Sequence, residues 1–228
     1  MMIDLHTHIL HGIDDGAQTL DESILLLEAE IKSGVHTVAM TPHFNISSGN
    51  LAEFIKKRDE LYKQLRDKVR ELELPIKLIC GAEVAYSSDM LNSDLEALCF
   101  ENTKAILIEM PLYNYPTFSR DVFFNLLMEG YTPIIAHAER YPYFFKTPGL
   151  LEALAESGVL IQVNAFSLLS GYRERKRVVK MILAGLVQIL ATDTHSINRR
   201  PPDLDKAVKV VAKKLGDSVA KRLVSFEV

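Results

Sequence analysis

Cysteine is almost missing from this chain: Cys80 and Cys99 are the only two in 228 residues. With no Cys-x-x-Cys pair and no disulfide framework, a stapled secreted scaffold is excluded and a reducing, cytoplasmic setting is expected. An excess of one charge sign is missing too. Lys and Arg number 26 against 30 Asp and Glu, for a formal net charge of -4, and the signs are interspersed. No basic tract of the kind that follows nucleic-acid phosphates is present, so no nucleic-acid partner is expected. No apolar run approaches the ~20 residues of a membrane span, so membrane insertion is not expected. Asp4 and His6 interrupt the start of the chain at once, which argues against a signal peptide. What is present is 48% hydrophobic composition over a length that buries a full core. One α/β domain spanning 1–228 is the expectation.

Short apolar stretches at 2–5, 35–40, 76–80, 105–108, 132–136, 159–163 and 187–191 read as strands. Helical patterns fall between them. Thr19-Leu20-Asp21-Glu22 is a capping-box signature, and Leu20, Ile24, Leu27 and Ile31 then keep one apolar face. A long charged helix is predicted over 51–74, others over 118–128 and 150–156, and the apolar side of another over 178–183. Leu204, Ala207, Val208, Val211 and Leu215 mark a closing helix, with one more over 218–224. Gly34, Gly130, Gly158 and Gly185 each stand where a left-handed residue ends a helix before the next strand. Seven strand–helix alternations with strands apolar on both faces predict a parallel sheet, open and doubly wound or closed as a barrel.

The polar residues choose between these. His6 and His8 are separated by one residue, so in extended chain both imidazoles point the same way. His6, His43 and Glu83 end the first three predicted strands. Glu109, His137, Asn164 and Asp193 end the next four, at spacings of 28, 27 and 29 residues. In a barrel these ends ring one mouth, where barrel active sites lie; in an open sheet they form a line too long to meet. A barrel is therefore expected. Adding Asp15 and His195 gives nine candidate ligands: His6, His8, Asp15, His43, Glu83, Glu109, His137, Asp193 and His195. Any one alone leaves open the plain alternative of a solvated strand end or a satisfied core histidine. Together they are too many for one ion and suit two or three, since four carboxylates gathered without cations would repel strongly. The absence of thiolate favours manganese, iron or zinc over an iron–sulfur centre. Arg140, three residues past His137, and Arg200, five past His195, are candidate phosphate clamps, a task that suits guanidinium. His11 is a candidate rim residue, His36 is expected to be packed, and Asn164 to hydrogen-bond supporting groups. The basic stretch 173–177 reads as a solvated helix face.

The strings Ile3-Asp4-Leu5-His6-Thr7-His8, Gly12-Ile13-Asp14-Asp15-Gly16, Thr41-Pro42-His43, Gly81-Ala82-Glu83, Ala136-His137-Ala138-Glu139-Arg140-Tyr141 and Thr192-Asp193-Thr194-His195 resemble the PHP (polymerase and histidinol phosphatase) superfamily. Within it they look like the bacterial tyrosine-phosphatase branch of the CpsB/YwqE type. The resemblance covers the whole chain and implies a distorted seven-stranded (β/α)7 barrel with a three-ion site, manganese being the usual metal. It implies one ion on His6, His8, Glu83 and Asp193, a second on Glu83, Glu109 and His137, and a third on Asp15, His43 and His195. It also implies a phosphoric monoester hydrolase that removes phosphate from the tyrosine-rich tail of a bacterial tyrosine kinase, in capsule or exopolysaccharide production. Glu109 stands where many other members of the superfamily have histidine, which favours this branch. Thiol chemistry would need Arg six residues after Cys; Cys80 is followed there by Tyr86 and Cys99 by Ala105. Attack by metal-activated water is expected instead, with Arg140 and Arg200 on the phosphate oxygens. The competing readings are a phosphatase of small phosphoesters such as histidinol phosphate, a nuclease module, and a metal-stabilised scaffold that docks a kinase without turnover. A homo-oligomer is allowed but not specified.

Overall fold

In the computed structural model, which describes residues 1–225, strands and helices alternate along the chain. They are β1 (Met2–Thr7), α1 (Leu20–Lys32), β2 (Val35–Met40), β3 (His43–Asn45), α2 (Leu51–Glu71), β4 (Lys77–Cys80), β5 (Glu83–Ala85), β6 (Ala105–Glu109), α3 (Ser119–Met128), β7 (Thr132–Ile135), α4 (Tyr143–Lys146), α5 (Leu150–Glu156), β8 (Leu160–Asn164), α6 (Ala165–Leu169), α7 (Tyr172–Leu183), β9 (Ile189–Ala191), α8 (Leu204–Leu215) and α9 (Asp217–Leu223). Every strand pairing is parallel. One sheet has the order β1-β2-β4 and the other β3-β5-β6-β7-β8-β9.

These are seven strands, two of them broken. β2 resumes as β3 after Thr41-Pro42, and β4 resumes as β5 after Gly81-Ala82. Proline has no N–H to give the ladder. At Gly81 a Cβ would stand only 3.0 Å from the Phe100 ring, so the break there is a close packing contact. Counted this way, the strands run in chain order, as the alternation predicts. The outer edges meet through one parallel bridge, Thr7 to Thr194, flanked by Asp193 N–H donating to His6 O and His8 N–H donating to Thr194 O, each at 2.8 Å. The ring is thus a distorted barrel, joined at this seam by a bridge where the other seams have ladders.

Sequence and structure differ at a few places. His43 and Glu83 do not end their strands but open the second halves, β3 and β5. At the capping box, Thr19 Oγ accepts from Glu22 N–H as expected, yet the Glu22 carboxylate takes the N–H of Gln18. His36 is exposed, not packed. In the basic stretch Arg175 donates to the carbonyls of Leu168 and Ser170, closing α6, and Arg177 donates to Glu139 O while lying over the Phe145 ring. Those two are fastened to the fold.

Alternation along the strands sorts the core into two clusters. Val38, Met40, Ile106, Ile108, Ile135, Ile161 and Leu190 pack against helix residues such as Leu27, Val122 and Val178. Leu5, Ala39, Leu107, Ile134, Ile189 and Ala191 form a small separate cluster inside the ring. Among the described residues no helix is long and apolar enough to cross a membrane.

Candidate metal centre

β1 carries the first two histidines to the mouth of the ring. Between Asp4 and Thr7 three steps of β1 face two of β2, a bulge that re-aims side chains. The next loop folds back over His8: Ala17 N–H donates to His8 O at 3.0 Å, and a Cβ on Gly16 would collide with that carbonyl. The close approach requires glycine. It also places Asp14 against His8 and Asp15 at the open rim.

Hydrogen bonds fix which nitrogen of each ring is free. Gln162 Oε1 takes the Nδ1–H of His6 at 3.2 Å and the backbone N–H of His137 at 2.6 Å. Asp14 Oδ2 takes Nδ1–H of His8 at 2.7 Å and the backbone N–H of His43 at 3.1 Å. The carbonyl of Asp193 takes Nδ1–H of His195 at 2.9 Å. An imidazole held by its Nδ1–H presents a lone pair on Nε2, the arrangement that metal-binding histidines use. Those lone pairs converge. His6 Nε2 and His8 Nε2 lie 3.2 Å apart, and Glu83 Oε2 stands 3.2 Å from each. Glu83 Oε2 and His195 Nε2 are buried with no hydrogen-bond partner.

Ligands bonded at about 2.0–2.2 Å to one ion stand about 3.0–3.5 Å from each other. Three lone-pair atoms at that separation fit a shared cation and are costly without one. The nine candidate residues fall into four groups whose ligand atoms lie within 4.8 Å of one another: His8, Asp15, His43 and His195; His6, His8 and Asp193; His6, Glu83 and His137; and His43, Glu83 and Glu109. His6, His8, Glu83, His137, Asp193 and His195 are buried, whereas Asp15, His43 and Glu109 form an accessible rim.

The field inside the mouth shows the same demand for positive charge. Burial alone would depress His6 and His8, yet Glu83 and Asp193 raise His6 above its ordinary value, and Asp14, Asp193 and Glu83 hold His8 well above it. Burial alone would raise Glu83 and Asp193, yet the surrounding imidazoles hold both well below the carboxylate range. His195 goes the other way, pushed down to about 4 by burial and by His8, so its ring is neutral and ready as a donor.

Arg140 and Arg200 both turn toward Asp193 Oδ2, at 3.6 Å and 3.1 Å, and Arg200 also reaches Asp15 at 3.7 Å. His11 is buried but belongs to none of the four groups. Asn164 supports the site as expected: its amide donates to Asp193 Oδ2 at 2.8 Å, and its own Oδ1 accepts from Gln162. Three supporting residues stand outside the nine candidates. Gln162 is a lone amide in an apolar strand two residues before Asn164, the most visible signal of the three. Asp14 directly precedes Asp15. Tyr141, four residues after His137, places its hydroxyl 3.0 Å from His137 Nδ1.

A parallel β/α ring with a histidine–carboxylate cluster at the carboxyl ends of its strands is the layout of the metal-dependent barrel hydrolases, and the fold and centre place this chain in that class. More particularly, residues 2–227 match the CpsB/CapC family of capsular polysaccharide synthesis, and the chain belongs to that family. The tyrosine-protein phosphatase YwqE of Bacillus subtilis is 31% identical over 225 residues, which are 96% of this chain and 87% of that protein. A crystal structure from work on YwqE of Bacillus subtilis and CpsB of Streptococcus pneumoniae, described as metal-dependent tyrosine phosphatases, superposes with a TM-score of 0.89 at 29% identity. The match covers 97% of this chain and 91% of that one. Histidinol phosphate phosphatase of Lactococcus lactis shares the fold at 15% identity, with a TM-score of 0.57 over 93% of both chains.

Proposed function

We propose that this protein is a metal-dependent protein-tyrosine phosphatase whose centre holds three manganese ions. The observation that carries the reading is the convergence of His6 Nε2, His8 Nε2 and Glu83 Oε2 at 3.2 Å, in a chain 31% identical to a tyrosine phosphatase. His6, His8, Glu83 and Asp193 would hold one ion, Glu83, Glu109 and His137 a second, and Asp15, His43 and His195 a third. Ions bound there would acidify a water for attack on phosphorus and neutralise phosphate charge.

The chain's own residues do the rest. Asp14 and Gln162 hold the His8 and His6 rings with Nε2 inward. Arg140 and Arg200, now turned to Asp193 Oδ2, hold the nonbridging phosphate oxygens and fix the ester bond in line. Tyrosinate leaves readily because its conjugate acid has a pKa of ~10. The thiols take no part. Both are buried, and burial pushes Cys80 up to about 11 and Cys99 up to about 12, so neither supplies a thiolate nucleophile. The substrate proposed is a phosphotyrosine protein of the cytoplasm, the tail of a bacterial tyrosine kinase that governs capsule or exopolysaccharide production. The test is phosphate release from a phosphotyrosine peptide by metal-stripped protein, with and without manganese. Release only with metal, and undiminished by a thiol-blocking reagent, is the expected result. No release from folded, manganese-loaded protein would sink the reading, and histidinol phosphate would be tried next.

A further inference from the structure

A recess of about 270 Å³ adjoins the metal centre. Tyr86, Met110, Pro111 and Leu112 give it an apolar wall, while Glu109, His137 and Arg140 bound it on the side of the centre. It exceeds the about 150 Å³ of an apolar cavity that accepts benzene. Its walls are tied to the candidate ligands. Tyr86 N–H donates to Glu109 O at 2.8 Å, and the Tyr86 ring packs near Phe123 with centroids 6.1 Å apart. Met110 N–H donates to the Tyr141 hydroxyl, the same oxygen that meets His137 Nδ1. Burial, with Tyr115 and Asp121 adding to it, pushes the Tyr86 phenol up to about 12, so the wall brings no anion of its own. Leu112 is 40% exposed and leaves apolar surface for a ring to cover. A second recess at the mouth, beside His195, is walled by Leu25 and Ile197 but carries the Glu22 carboxylate and does not adjoin Arg140.

We infer that the recess walled by Tyr86, Met110, Pro111 and Leu112 is an aryl slot, which takes the ring of a phosphoester whose phosphate lies between the centre and Arg140. This rests on the phosphatase reading and adds a source of selectivity to it. A tyrosyl ring separates phosphate from peptide backbone by the depth of a slot. A phosphoserine, with one methylene there, leaves the apolar wall bare, and burying a ring against such a wall is worth about tenfold or more in affinity.

The experiment uses the full-length, metal-loaded protein and two inert probes with the same head group, phenylphosphonate and methylphosphonate, with binding measured by calorimetry. Phenylphosphonate is expected to bind about tenfold or more tightly. Ala85→Leu places a side chain into the slot from the strand position paired with Glu109. Leu112→Ala strips its exposed wall. Each should bring phenylphosphonate toward the methylphosphonate level while methylphosphonate binding moves by less than about twofold. Equal binding of the two probes by the parent protein, or an unchanged preference in both variants, overturns the slot. Because neither probe is hydrolysed, the preference stays readable if phosphotyrosine turnover fails; turnover without the preference removes the slot alone.

Discussion

The two ends of the same strands are built on opposite terms. Inside the ring, Leu5, Ala39, Leu107, Ile134 and Ile189 pack in one apolar cluster with Phe100 and Ala191, and each square ångström taken from water there stabilises the fold by about 25 cal/mol. At the mouth, strands β7 and β9 give way to His137 and Asp193, both non-glycine residues at positive φ, 32° and 55°. Left-handed backbone at such residues costs about 1–3 kcal/mol each and persists where the surroundings over-determine it. Beside them stand the unpartnered Glu83 Oε2 and His195 Nε2. The inner cluster holds the strands; the mouth spends that rigidity on crowded imidazoles and carboxylates that leave acceptor atoms without partners. Stability and chemistry therefore separate along the strand axis, within a few residues of each other.

The largest expected effect lies at the mouth. Glu83 meets His6, His8 and His43 through one oxygen and His137 through the other, so Glu83→Gln keeps the shape and removes the charge that two of the four groups contain and the other two face. A bound ion supplies several kcal/mol of transition-state charge stabilisation, so its loss should lower phosphotyrosine turnover by about a thousandfold. Ion content by elemental analysis should fall with it while circular dichroism stays native. A folded variant that keeps its ions and its rate would break the comparison. At the inner cluster the pattern reverses: Leu107→Ala should lower unfolding free energy by about 2–5 kcal/mol in denaturant melts. Ion content and turnover per folded molecule should hold. Native stability with lost ions would mean that the two ends do not separate.

The sequence carried the strand count, the helix ends and the polar ring, because those follow from local periodicity and from the spacing of strand ends. It did not carry the partners. His6 and Gln162 are 156 residues apart, and nothing in either neighbourhood says that they meet. The breaks at Thr41-Pro42 and Gly81-Ala82 read as strand ends because a missing donor and a glycine usually are ends; the chain resumes only because β5 offers β3, and β6 offers β5, a ladder to join. His36 shows the limit of alternation. It occupies an apolar run, yet it lies near the start of β2, where the ring opens to solvent.

Between the two ends lies one pair that belongs to neither, Asp4 on β1 and Glu30 on α1, both fully buried. Asp4 accepts the N–H of Thr192, one residue before Asp193, and so ties β1 to the end of β9. Glu30 finds no protein donor for either oxygen. Burial first, then repulsion from Asp4, pushes Glu30 well above the carboxylate range, and burial raises Asp4 as well. A proton shared between the two carboxyls satisfies both. The native state then holds a proton that the unfolded chain releases near pH 4.5, so this contribution is full below that pH and fades as pH rises toward the native value. Glu30→Gln supplies the donor permanently. It should leave stability at pH 4 nearly unchanged and add on the order of 1 kcal/mol by pH 8, flattening the pH dependence of denaturant melts. Ion content should not change, because the bond from Thr192 to Asp4 remains. A variant equally displaced at both pH values would show that Glu30 is ionised in the fold, and the brace under Asp193 would then need a cation of its own.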